Sequence, residues 1–287
     1  MGVSTSNLGM TQYVTPDLKR WLKEQLQAGL GAADLVQSMI GAGWEKKIAV
    51  QAVAQAKLDG WFGSSEPKPQ KLPEPPIEDG RCVVDAGDRE VCILSTVAQP
   101  RVVVFGNLLA PEECDAIIEA SRPRMARSET VAEAKDGSEV NAARTSSGMF
   151  FERGETDVVA RVERRIARLL DWPLENGEGL QVLHYQPGAE YQPHYDYFDS
   201  KHASTASILK RGGQRLATLV MYLNTPKRGG ATTFPDIKMA VAPVRGNAVF
   251  FSYPVADPSS LSLHGGAPVL EGEKWVATKW LRHGRFD

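Results

Sequence analysis

The chain has 287 residues, 42% of them hydrophobic and 24% charged, with a formal net charge of -2. That is apolar material for one large domain or a medium domain with an appendage, and the near-neutral balance offers no basic field for nucleic acid or an anionic membrane. No apolar run approaches the ~20 residues of a membrane helix, and the opening MGVSTSNLGMTQYV lacks a basic stretch followed by an apolar one, so a cytoplasmic protein is expected.

Three segments, TPDLKRWLKEQLQAGL, GAADLVQSMIGAGW and EKKIAVQAVAQAKLDGWF, space their apolar residues as helices do, for example Leu18, Trp21, Leu22 and Leu26, then Leu35, Met39 and Ile40. They predict a small all-α bundle over residues 1–62. Thr15-Pro16-Asp17 reads as an N-cap with proline in the first turn. The bundle carries no cluster of His, Cys or paired carboxylates, so it is read as an interaction module that docks a partner or forms a homodimer, or else as a stabilising appendage. Residues 63–80, GSSEPKPQKLPEPPIEDG, hold five prolines among polar residues and read as a semi-rigid linker.

Residues 81–287 change texture. RVVVFGNLL, LQVLHYQ, RLATLVMYLN, NAVFFSYPV and KWVATKWL are β-branched or aromatic runs bounded by Gly, Pro and Asn, the pattern of strands. PEECDAIIEASRP and TDVVARVERRIARLLDW are helical, the first opening at Pro111 with acids in its first turn. An α+β domain follows, a sheet-on-sheet barrel or jelly roll backed by helices. Cys82, Cys92 and Cys114 are odd in number and lack C-x-x-C spacing, so buried free thiols are expected, with a Cys82–Cys92 bridge as the alternative.

The chemistry concentrates in LQVLHYQPGAEYQPHYDYFD. His194 and Asp196 stand two apart in a strand-like stretch and share a face. His264, closing the run LSLH before two glycines, supplies a third donor. Two histidines and one carboxylate form the facial triad of non-haem Fe(II) oxygenases, which leaves open positions for a cosubstrate and dioxygen. Such a site needs a cation for the far carboxylate of 2-oxoglutarate. In KWVATKWLR, Lys274, Val276, Thr278 and Trp280 share one face and Lys279 the other, so only Lys274 can point inward with Trp280. A lysine facing a barrel interior needs an anion. His184 has the opposite parity to Tyr185 and is expected to face away, and His202 and His283 are read as surface or core residues.

The motifs LHYQPGAEYQPHYDYF, RLATLVMYLN, GGATTFP and HGGAPVLEGEKWVATKWL, with LLAPEECDAII and ARTSSGMFF upstream, resemble the catalytic core of the prolyl 4-hydroxylases, in the Fe(II)/2-oxoglutarate dioxygenase superfamily. The resemblance spans roughly residues 98–285. It implies a double-stranded β-helix, with His194, Asp196 and His264 as iron ligands and Lys274 as the partner of the 2-oxoglutarate carboxylate, aided by Tyr185 and Thr232. It also implies Tyr191, Arg215 and Trp280 in the pocket for peptidyl proline, dioxygen as cosubstrate and ascorbate as reductant. The implied reaction hydroxylates proline in an intracellular protein or peptide, a translation factor among the candidates, while 2-oxoglutarate yields succinate and CO2. The polar stretch from Arg122 to Gly148 and the loop DYFDSKHASTASILKRGGQ are read as lids. Three alternatives stand beside this reading: a hydroxylase of free proline or another small molecule, a non-catalytic scaffold working through its helical bundle, and a metal-dependent hydrolase, which leaves Lys274 unexplained.

Overall fold

Helices form where the apolar spacing predicts them. In the computed structural model, which describes residues 14–27, 30–58, 71–77, 80–127, 130–131, 138–139, 145–199 and 205–287, the first three are α1 (Pro16–Gln27), α2 (Ala32–Gly41) and α3 (Lys46–Leu58). The Thr15 hydroxyl accepts the Leu18 N–H at 3.2 Å, satisfying one of the free donors at a helix start. Leu22, Leu35, Met39, Ala49 and Val53 meet in one small core. These helices belong to a unit spanning Met1–Lys71, and a second unit spans Leu72–Asp287. Among the described residues no helix is long and apolar enough to cross a membrane.

The second unit is a mixed α/β structure dominated by antiparallel sheets. Its main sheet has nine strands, which run from edge to edge as Val83–Asp85, Glu90–Val97, Arg101–Gly106, Ala248–Ser252, Arg215–Tyr222, Lys274–Arg282, Leu180–Tyr185, Ser147–Phe151 and Ala126–Arg127. A four-stranded sheet has the order Met239–Val241, Thr232–Phe234, His264–Gly266, Tyr191–His194. Side chains alternate across a strand, and here both faces of the main sheet are buried. One face carries Val103, Phe105, Val182, Leu219, Phe250, Trp275 and Ala277 into a core shared with helices α4 (Pro111–Ser121) and α5 (Asp157–Leu169) through Cys114, Ile117, Val162 and Ile166. The other face sends Val104, Leu183, Tyr222, Val249, Phe251 and Val276 toward Phe234 and Val241 of the smaller sheet.

Several expectations change. Leu72 and Ile77, within the stretch read as linker, pack against the helix-side core, and Glu74 pairs with Arg101. That half of the proline-rich stretch lies on the second unit because its few apolar residues find a surface. Asp196 lies past the end of its strand at His194, and His264 opens the strand His264–Gly266 rather than closing one. All three cysteines are free, and only Cys114 is buried. Val83 pairs with Cys92 in the ladder, so Cys82 and Cys92 fall on opposite faces and cannot bridge within this register. His202 and most of the Arg122–Gly148 stretch lie outside the described residues, as do five positions of the second loop.

Candidate metal centre and cosubstrate cavity

His194 and His264 are directly opposite one another in the antiparallel pair that joins Tyr191–His194 to His264–Gly266. The pairing puts the two imidazoles side by side, ring centroids 4.4 Å apart. Gly265 allows the close approach: a Cβ there would stand 2.9 Å from the Tyr191 carbonyl oxygen. The His194 Nδ1 lies 3.0 Å from the Gln192 carbonyl and the His264 Nδ1 2.9 Å from that of Ser262. A proton on each Nδ1 would be donated to those carbonyls, leaving both Nε2 atoms as acceptors facing the same space.

Asp196 completes the set. Its Oδ1 is 3.6 Å from His194 Nε2 and its Oδ2 3.4 Å from His264 Nε2. Among the described residues, this is the one group whose donor atoms converge as metal ligands would, all within 4.8 Å of one another. Burial would raise the Asp196 carboxyl, but the two histidines hold it well below the usual carboxylate range. Burial first, and then His264, push His194 down. A carboxylate and neutral imidazoles are the forms a divalent cation binds.

Behind the triad, the Thr218 hydroxyl donates to Asp196 Oδ2 at 2.7 Å and lies 3.0 Å from the Tyr253 hydroxyl. Burial pushes the Tyr253 phenol well above the usual tyrosine range. Neither residue stood out in the sequence, because a threonine and a tyrosine inside apolar runs show their role only once strands are paired.

The triad opens into a cavity floored by one face of the main sheet: Gln181, Leu183 and Tyr185 from one strand, Lys274, Val276, Thr278 and Trp280 from the next. Ladder pairs Lys274↔Tyr185, Val276↔Leu183 and Thr278↔Gln181 set them in rows. Lys274 is 3% exposed, its Nζ 5.2 Å from the Tyr185 ring centroid. Burial alone lowers it to about 8, and among the described residues no carboxylate pairs with it. Lys279, on the opposite face, is instead neutralised by Glu163 of α5 at 2.5 Å. Thr232 lines the cavity too, its hydroxyl accepting from Tyr222 at 2.8 Å.

Of the residues expected to meet substrate, Tyr191 stacks on His194 with centroids 3.7 Å apart, and both Tyr191 and Trp280 line the cavity. Arg215 does not. It makes a two-pronged ion pair with Glu178 at 2.6 and 2.9 Å, its guanidinium lies over Trp280, 3.9 Å from the ring centroid, and it reaches the Asp196 carbonyl at 3.3 Å. Gln181 is an addition: its Oε1 and the Trp280 Nε1 are buried without hydrogen-bond partners among the described residues. His184 faces the helix side, stacked on Trp275 and bonded to Glu273.

Residues 180–282 match the model of the 2OG-Fe(II) oxygenase superfamily. Prolyl 4-hydroxylase 5 of Arabidopsis thaliana is 41% identical over 221 residues, covering 70% of this chain and 74% of that protein. The chain belongs to the prolyl 4-hydroxylases. A second relative in the same plant, probable prolyl 4-hydroxylase 3, is 38% identical over 221 residues, 70% of this chain and 75% of its own. A viral collagen prolyl hydroxylase from Paramecium Bursaria Chlorella virus-1, solved with 2OG, aligns at a TM-score of 0.49 and 30% identity over 63% of this chain and 95% of its own. As a prolyl 4-hydroxylase the protein is an Fe(II)- and 2-oxoglutarate-dependent dioxygenase. The donor set here suits that metal, and a buried lysine lacking an anion suits a dicarboxylate.

Proposed function

We propose that His194, Asp196 and His264 hold Fe(II), that Lys274 anchors 2-oxoglutarate, and that the protein hydroxylates the ring C4 of proline within a protein or peptide chain. The observation that carries this reading is Lys274: a cation buried without a counter-charge, in the same cavity as a converged His-Asp-His set. When bound, Fe(II) with 2-oxoglutarate and dioxygen supplies oxidative decarboxylation to succinate and CO2 and the insertion of one oxygen atom into a C–H bond. The chain's own residues bind, orient and exclude water. Lys274 holds the far carboxylate, with Tyr185 packed beside it and the Thr232 hydroxyl on the cavity wall. Leu183, Val220 and Val276 supply apolar lining, which keeps the chemistry dry. Tyr191 and Trp280 flank the proline ring, and Arg215 fixes the Trp280 plane from behind.

Peptidyl rather than free proline is favoured by Gln181 and Trp280. One offers an unmet acceptor and the other an unmet donor, the complement of a main-chain N–H and C=O. The two facing sheets are read as a double-stranded β-helix enclosing the triad. Free thiols, with Cys82 exposed, suit a reducing compartment and so an intracellular substrate, a translation factor among the candidates. Ascorbate is the reductant that keeps the metal ferrous. Residues 1–62 serve to dock the substrate or a second copy, through the 63–80 linker.

The test is mass spectrometry of proline-containing peptides and of free proline, each incubated with protein, Fe(II), 2-oxoglutarate, ascorbate and air, with His194→Ala as control. A gain of one oxygen on peptidyl proline, absent in the control, is expected. Gain on free proline alone overturns the peptide reading, and absence of succinate release with every substrate overturns the catalytic one.

A further inference from the structure

The Asp196 carboxylate is held by more than its place after a strand. Its Oδ2 accepts from Thr218, and Thr218 meets Tyr253 on the neighbouring strand side. Thr218 and Tyr253 are 0% and 1% exposed, so water does not compete for these bonds. The direction of the chain follows from the donor inventory. An ionised carboxylate only accepts, and a threonine hydroxyl has one proton. Once Thr218 gives that proton to Asp196, its oxygen is left to accept from the tyrosine. The order is therefore Tyr253 to Thr218 to Asp196.

Taking His194, Asp196 and His264 as the metal ligands, as proposed above, we infer that Thr218 and Tyr253 are positioning residues for the metal: a buried two-hydroxyl relay that holds the Asp196 carboxylate turned toward both imidazoles before the ion arrives. Neither touches the metal ligands' open side or lines the cavity. Their effect passes through Asp196. A free carboxylate side chain rotates, and one that must be reoriented at each loading event binds the ion more weakly. Partners of this outer kind commonly change metal affinity by about 10- to 100-fold. The ladder supports the geometry, because Thr218 pairs with Phe251 on one side and Trp280 on the other. Its hydroxyl thus has a fixed place between two paired strands rather than a mobile one in a loop.

Binding of Fe(II) under anaerobic conditions, and of Co(II) followed by its visible absorption, tests this on the full chain without 2-oxoglutarate or turnover. Thr218→Val keeps the shape and removes the hydroxyl, Thr218→Ser keeps the hydroxyl, and Tyr253→Phe removes one oxygen atom. The relay predicts affinity about tenfold weaker or more in Thr218→Val and Tyr253→Phe, near-unaltered binding in Thr218→Ser, and an altered Co(II) spectrum in the two weakened proteins. Adding Tyr253→Phe to Thr218→Val should cost nothing further, because the first change already cuts the chain. Melting temperatures of the metal-free proteins separate this from a packing role: lower stability with unchanged affinity overturns the relay, as do additive losses. His194→Ala is the check on the ligand assignment. If it binds as tightly as the unaltered protein, the assignment falls and takes the relay with it; if it loses binding while Tyr253→Phe and Thr218→Val do not, the relay alone falls.

Discussion

Lys274 is stored in the fold at a cost. Burial brings it from 10.5 to about 8, a difference of about 3 kcal/mol between its charged and neutral forms. Because the folded value lies below the unfolded one, the penalty is fully present below pH 8 and is relieved as pH rises toward 10.5. Lys274→Met should therefore raise the stability of the ligand-free protein at pH 7 by up to about 3 kcal/mol and abolish 2-oxoglutarate binding, as read by denaturant melts and calorimetry. The same shift sets a second expectation: 2-oxoglutarate binds the charged form, so its affinity should fall about tenfold for each pH unit above 8. Calorimetric titrations between pH 7 and 9.5 check it, and a flat profile would remove Lys274 as the anchor. This residue was legible in the sequence, as were His194, Asp196 and His264, because charged groups at fixed parity in apolar strands are costly enough to need a reason. Gln181, Thr218 and Tyr253 were not. Their meaning lies in what faces them across a sheet, which spacing along the chain does not encode.

Helices α4 and α5 are braced by charge as well as by their apolar faces. Arg165 of α5, 3% exposed, donates to both Glu113 carboxylate oxygens, to Asp88 and to the Leu108 carbonyl. Burial alone would raise Glu113, but Arg165, the Ala110 N–H and Arg161 hold it at about 2 against 4.5. A carboxyl lowered on folding contributes stability that is present above the unfolded value and lost as pH falls through the folded one. Glu113→Gln is thus expected to cost about 3 kcal/mol at pH 7, with the gap to the unaltered protein closing between pH 4.5 and 2 in urea melts. The helices and five long strands were readable because their periods run for several residues. Thr232–Phe234, Met239–Val241 and His264–Gly266 have three residues each, too few to show a period, and Glu90–Val97 alternates weakly because much of it meets solvent.

At the level of the whole chain, the metal triad, Lys274 and both cores that frame them belong to Leu72–Asp287, while the three N-terminal helices keep a core of their own. A chain beginning at Leu72 should retain cooperative melting and 2-oxoglutarate turnover on a short proline peptide. Loss of both would show that the first unit is needed for the second to fold. The histidines that face each other across the small sheet are 70 positions apart, from His194 to His264, and are matched by a single strand register. A slip of one residue would turn one imidazole to the opposite face and dissolve the chelate. Since an ion that binds only the native state favours it by mass action, iron works here as a proofreader: correctly threaded copies are loaded and retained, and misaligned copies stay inert, unable to waste dioxygen or burn their own side chains.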